Sequence, residues 1–155
     1  MQKIAQFFKV SRNKYPLDEH YENIKTPKRA TVGSAGYDFY APYDIELAPH
    51  QTETVPTGIR AKIEDGWVLM LFPRSGLGFK YRLTFNNTVG IIDSDYYYSD
   101  NEGHIYIKLT NGEKPLIIKK GEAFAQGVFV PYGITVDDNA DATRNGGFGS
   151  TNKAE

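Results

Sequence analysis

Three segments of the chain carry residue types that could do phosphate chemistry. The last of them, Arg144 to Asn152, reads RNGGFGSTN. Its glycines let backbone N–H groups approach a polyphosphate closely, and Arg144 adds a cation with a planar fork of donors. Gly149, Ser150 and Thr151 supply further amides and hydroxyls. Phe148 is the only large apolar side chain from Asp137 to Glu155. With no core to join, it could lie over a flat ligand. No Gly-Lys-Ser/Thr triplet is present, so this is not a Walker-type phosphate loop. The plain alternative is a Gly-rich tail without fixed structure.

The second segment is PRSGLGFK, Pro73 to Lys80, directly after the apolar run Trp67–Phe72. Arg74 offers a fork for phosphate oxygens, Ser75 a hydroxyl and Gly76 an open amide. A short helix over Ser75–Tyr81, with Ser75 as N-cap, would add the partial positive charge of a helix start. A capped turn without any ligand fits the same residues. The third segment is NNTVGIIDSDYYY, Asn86 to Tyr98. Asp93 follows the apolar Gly90-Ile91-Ile92, which puts it at the rim of a pocket, where a carboxylate can act as general base towards water. Asn87 carries a donor and an acceptor together, which suits a base edge with the same mixture. The alternative is a strand that ends in an Asp-Ser-Asp turn and a Tyr-rich hairpin.

Several other chemistries are closed to this chain. It has 155 residues, which suits one domain with a real core. The absence of Cys removes disulfides, zinc ribbons and a thiol nucleophile together. His20, His50 and His104 lie far apart and form no local zinc motif. A net charge of −1 lacks the basic excess of a non-specific nucleic-acid binder, yet leaves room for a small anionic ligand at a local cationic site. The longest apolar run, Trp67–Phe72, has strand length and falls far short of a membrane span. The amino terminus has no continuous apolar segment of the secretory kind. The expectation is a cytoplasmic, soluble protein without nucleic-acid or membrane partners.

The elements that must position these segments read as strands. Aromatics are frequent and Gly and Pro punctuate the chain often, so no stretch of helical length keeps an amphipathic stripe. Short runs dominate: 5–10, 44–47, 52–55, 58–63, 67–72, 105–109, 116–118 and 123–130. Turn signals such as Asp65-Gly66, Asn111-Gly112 and Lys120-Gly121 separate them. The pattern predicts an all-β, jelly-roll-like barrel or sandwich with one short helix and a flexible C-terminal arm. The polar stretch 14–29 reads as an extended arm or loop.

In order along the chain, the segments resemble the five motifs of the trimeric dUTPases. They are Ser34-Ala35-Gly36-Tyr37-Asp38-Phe39-Tyr40-Ala41, Arg74-Ser75-Gly76-Leu77, Gly90-Ile91-Ile92-Asp93-Ser94-Asp95-Tyr96, Ala125-Gln126 and Arg144 through Thr151. Any one motif is weak; the ordered set, spanning residues 24–152, is specific. The resemblance implies a β-rich subunit, residues 1–143, with the tail 144–155 closing over the active site. It implies homotrimers whose sites lie at subunit boundaries and draw motifs from all three chains. It also implies hydrolysis of dUTP to dUMP and pyrophosphate, with Mg2+ on the triphosphate.

Residue roles follow by the same similarity. Asp93 matches the carboxylate that activates the water attacking the α-phosphorus. Asn87 matches the reader of uracil, helped by backbone groups around Gly90, Ile91 and Ile92. Tyr96 matches the ring that packs under the deoxyribose and excludes a 2′-hydroxyl by steric contact. Tyr106 aligns with the family's next substrate contact. Arg74, Ser75, Gly76 and Gln126 match phosphate-contacting positions, and Arg144 matches the γ-phosphate contact. Phe148 matches the ring that stacks on uracil, with Gly149, Ser150 and Thr151 closing on the phosphates. Asp38 matches the first-motif carboxylate, linked to the metal only through water.

Where the family usually passes quickly from Tyr96 to a Gly, Tyr97–Glu102 intervenes here and lengthens the uracil hairpin or its flank. Two other readings stay open at this level. One is a dCTP deaminase relative, which needs a base near C4 of cytosine that the sequence does not offer. The other is a regulatory binding protein that uses the nucleotide as a switch and the Tyr97–Glu102 segment as its partner surface.

Overall fold

The computed structural model describes residues 1–146. Alternation of apolar and polar residues decides the strands, because one face of each must enter the core. In Ile59–Ile63 the side chains of Ile59, Ala61 and Ile63 are buried, while Lys62 between them faces water. In Tyr106–Thr110, Ile107 and Leu109 point in and Lys108 points out.

Among the described residues twelve strands result: β1 (Ala5–Lys9), β2 (Lys28–Arg29), β3 (Tyr37–Tyr40), β4 (Ile45–Leu47), β5 (Thr52–Pro56), β6 (Ile59–Ile63), β7 (Trp67–Pro73), β8 (Thr84–Phe85), β9 (Gly90–Ile92), β10 (Tyr106–Thr110), β11 (Leu116–Ile118) and β12 (Ala123–Pro131). All pairings are antiparallel. The largest sheet has the order β2-β3-β12-β7-β9; smaller sheets pair β5-β10-β8, β1-β6 and β11-β4. Among the described residues none of these sheets closes on itself. One core joins them, with Phe39, Leu69, Leu71 and Phe124 from the large sheet meeting Ile45, Val55, Ile59, Leu109 and Ile118 from the others. The expected all-β fold with one short helix is therefore the observed one.

The expected strand runs all form, within a residue or two at their ends. Four short strands, β2, β3, β8 and β9, were not among them, although β9 is the strand offered as the alternative reading before Asp93; each pairs with a longer neighbour or a strand beside it. The stretch 14–29 is a correction. It is no loose arm: it contains the 3-10 turn Asp18–Asn23 and the strand β2, and it buries Tyr15 and Ile24. The Tyr15 hydroxyl donates to the Pro56 carbonyl at 3.1 Å and the Tyr21 hydroxyl to the Val10 carbonyl at 2.7 Å. No described helix is long and apolar enough to cross a membrane.

Candidate active site

The central strand β7 organises the candidate residues. Its apolar run pairs on one side with β12 and on the other with β9. Helix α1 (Ser75–Tyr81) leaves its C-terminal end. Its N-cap is Arg74, in extended backbone conformation, with no side-chain capping bond. The expected Ser75 cap is thus displaced by one position, and Ser75 is the first helical residue. The Arg74 carbonyl accepts from the N–H groups of Leu77 and Gly78. The Ser75 and Gly76 amides, one turn earlier, have no such partner within the helix. Both residues are exposed, and the space around Gly76 is open.

Register places two more candidates beside Arg74. Gln126 on β12 faces Phe72 on one side and Asp38 on β3 on the other. Arg74 Nε lies 3.4 Å from Asp38 Oδ1. Gln126 Nε2 donates to the Pro73 carbonyl at 3.4 Å. A Cβ on Gly36 would sit 2.7 Å from Gln126 Oε1, so a larger residue there would displace the Gln126 amide. The first, second and fourth motifs therefore form one polar cluster at the C-terminal end of β7.

Asp93 belongs to a second cluster. The ladder pairs Leu69 with Ile92 and Leu71 with Gly90, so β9 runs antiparallel to β7 and Asp93 emerges beside Val68. From Val68 to Arg74 at ~3.3 Å per residue is about 20 Å. Ile91, opposite Met70, is exposed, whereas Gly90 and Ile92 are buried. Asn87 sits in the turn before β9, exposed, with its backbone carbonyl accepting from the Val89 N–H at 2.8 Å. After Asp93 the chain enters a 3-10 turn, Ser94–Tyr98, rather than the alternative Tyr-rich hairpin.

Arg144 returns to this second cluster. Its Nη2 donates to Asp93 Oδ2 at 2.7 Å and its Nε to Asp95 Oδ1 at 2.8 Å. The three side chains close a fork, with Arg144 mostly buried and Asp93 about half-exposed at 48%. Sequence reasoning passed over Asp95, although the Asp-Ser-Asp spacing was visible. Phe148, Gly149, Ser150 and Thr151 lie outside the described residues.

Tyr96 stands next to the acidic pair and is 5% exposed. Burial pushes its phenol above the ordinary range, and the same holds for Tyr106 at the start of β10. Between them is His104, which carries no signal in the sequence beyond its distance from the other two His residues. Its carbonyl accepts from the Tyr96 hydroxyl at 2.6 Å, and its ring lies 4.3 Å from that of Tyr106. The Gly58 N–H donates to His104 Nε2 at 2.9 Å, so the ring proton belongs on Nδ1.

A second ring proton would displace the Gly58 bond in a site with 1% exposure. Burial accordingly pulls the His104 pKa down to about 4, with Glu102 opposing weakly. A folded value below the unfolded one gives stability that is complete above pH ~6.5 and falls as the pH drops towards 4. The loss is about 3 kcal/mol at most. Urea midpoints measured from pH 7.5 to 4.5 should show it. His104→Gln, which cannot titrate, should be less stable at neutral pH but have a flatter profile. Parallel profiles would assign the acid sensitivity to other groups.

These two clusters, one with an arginine and open helix amides that suit an anion and one acidic beside aromatic rings, suit a nucleotide hydrolase. The dUTPase family model matches residues 22–152. A deoxyuridine 5'-triphosphate nucleotidohydrolase of Lactococcus lactis is 42% identical, over 84% of this chain and 91% of its own. One from Photorhabdus laumondii is 40% identical over 85% and 90%. The crystal structure of dUTPase from Streptococcus mutans superposes with a TM-score of 0.69 at 36% identity, covering 85% of this chain and 98% of that one. A dUTPase of Staphylococcus bacteriophage 80alpha, solved with dUPNHPP, shares the fold with a TM-score of 0.68 at 23% identity over 96% and 98%. The chain belongs to the dUTPase family and is a dUTP diphosphatase by class.

Proposed function

We propose that the chain hydrolyses dUTP to dUMP and pyrophosphate, with Asp93 as the base that activates the attacking water. The observation that carries the reading is the position of Asp93: half-exposed at the end of β9, next to the buried Tyr96 ring, with a guanidinium on its carboxylate. Phosphoryl-type hydrolysis needs a water held in line and charge neutralised, with little covalent chemistry. Asp93 orients and deprotonates the water. Tyr96 forms the floor for the sugar, and Tyr106 lies beside it. Asn87, exposed in its turn, presents a donor and an acceptor to the uracil edge, with the backbone of Gly90, Ile91 and Ile92 alongside.

Arg144 must release Asp93 before the carboxylate can take a proton. Asp93 keeps about half of its side chain in water, which lowers what the pair contributes. Triphosphate oxygens offer the guanidinium a better, bidentate partner, so the substrate itself frees the base. Residues 144–155, a segment distinct from the β domain 1–143, then close over the nucleotide, with Phe148 on the base and Gly149, Ser150 and Thr151 on the phosphates. Arg74, Ser75, Gly76 and Gln126 bind the phosphates from the other cluster.

Mg2+, when bound, neutralises phosphate charge. Among the described residues no group of three or more acidic, His or Cys side chains could cage it. That suits an ion carried on the triphosphate oxygens, with Asp38 reaching it through water. The separation of Arg74 from Asp93 within one chain suits a homotrimer, in which one copy's Arg74 cluster meets another copy's Asp93. The test of the function is pyrophosphate release across dUTP, dTTP, dCTP and UTP. We expect turnover of dUTP alone at low concentration, with no ammonia from dCTP. Equal turnover of all four would overturn the reading.

A further inference from the structure

The segment Tyr97–Glu102 does not lengthen the hairpin before β9. It folds back beneath Tyr96 and is fastened to the body of the protein. Arg60 on β6 holds it: Nη2 donates to the Tyr97 carbonyl at 2.9 Å, and the guanidinium lies 3.7 Å from the Tyr97 ring centroid. Glu102 Oε1 accepts from the Ser11 N–H at 2.8 Å and lies 3.8 Å from Arg60 Nη1. Gly103, at φ +69°, closes the turn; a Cβ there would meet the Tyr96 carbonyl oxygen and Tyr97 Cα, each at 2.6 Å. Only glycine fits both that conformation and that approach.

Within this turn Asn101 reaches the Tyr96 phenol. Its Oδ1 accepts from the Gly103 N–H at 3.0 Å, which fixes the amide so that Nδ2 faces the phenol. Nδ2 donates to the Tyr96 hydroxyl at 2.9 Å. The hydroxyl, accepting there, donates its own proton to the His104 carbonyl at 2.6 Å. The ring is therefore held at its far end from two directions. A ring excludes a 2′-hydroxyl only if it cannot retreat, because a loose aromatic side chain can shift to admit one extra oxygen.

Building on the reading of Tyr96 as the sugar floor, we propose that Asn101 is a positioning residue for sugar choice. It locks the Tyr96 ring in place, and the inserted segment exists in this chain as the clamp that carries it. Selection stays steric, but hydrogen bonds keep the steric wall from yielding.

The test is kcat/KM for UTP relative to dUTP in the full chain. Asn101→Ala should raise that ratio about fivefold, the scale of one neutral hydrogen bond. Asn101→Ser keeps an oxygen for the Gly103 N–H but is too short to reach the phenol. It should raise the ratio as Asn101→Ala does; a wild-type ratio in Asn101→Ser would assign the effect to the turn and overturn the proposal. Tyr96→Phe should raise the ratio as well, and Asn101→Ala should add nothing in that background. Additive effects would show that Asn101 does not act through the phenol. Tyr96→Ala separates the two levels. If it leaves the ratio unchanged, Tyr96 is not the sugar floor at all. If it raises the ratio while Asn101→Ala and Asn101→Ser do not, the floor stands and the clamp is wrong.

Discussion

Asp93→Asn should lower turnover of dUTP by about two orders of magnitude or more, the scale expected when a general base is lost. The substitution keeps the shape of the side chain and an oxygen towards Arg144. It removes the proton acceptor, so the bound water keeps both protons and attacks poorly. Binding of a non-hydrolysable dUTP analogue should survive, and Arg144, freed of a full negative charge, should turn to phosphate more readily. Asp95→Asn is the informative control. Asp95 touches the same guanidinium at 2.8 Å, but the family resemblance gives it no reacting role. A single-turnover assay of both variants distinguishes base from partner. If Asp93→Asn keeps most of its rate and Asp95→Asn loses it, the base is Asp95. If both lose little, Arg144 rather than either carboxylate deserves the next substitution.

Co-refolding two inactive variants should recover activity. Arg74→Ala removes a cation from the cluster at one end of β7, and Asp93→Asn removes the base at the other end. With about 20 Å between them along the strand, the two groups are far apart within one chain, which favours a site shared between copies. If the copies assemble as proposed, mixed oligomers of the two variants contain boundaries where an intact Arg74 meets an intact Asp93, and those sites should turn over dUTP. Each variant refolded alone should stay near background. Recovery should track the mixing ratio and peak when both chains are abundant. Its absence from demonstrated mixed oligomers would mean that the tail or a rearrangement brings both groups together within one chain.

Much of this was legible in the order of residues. The alternation in β6 and β10 and the apolar run of β7 name their own secondary structure, because burial of one face or both is a local property of the pattern. The helix Ser75–Tyr81 was visible too, but its cap was not: capping depends on which residue turns extended, and β7 carries that conformation through Arg74. Lys28–Arg29 and Thr84–Phe85 are strands only because β3 and β10 lie beside them. Residue pairs such as these carry no signal in their own composition.

By itself the sequence determined the chemistry on offer. A carboxylate after an apolar run, an arginine-serine-glycine turn and a glycine-rich arginine segment each admit a plain structural reading, and only their order along the chain, through its resemblance to the dUTPase motifs, points to a nucleotide polyphosphate site. Absence of Cys and of a His pair removed the competing chemistries. What only the tertiary structure decided was distance and constraint. Antiparallel pairing of β9 with β7 sends Asp93 away from Arg74, although both belong to one strand pair. The fold brings Asn101, His104 and Tyr96 into one hydrogen-bonded unit and places Arg60 under Tyr97, across 37 positions of chain. Such contacts arise because the core draws distant strands together and leaves the buried polar groups to find whichever partners the packing supplies.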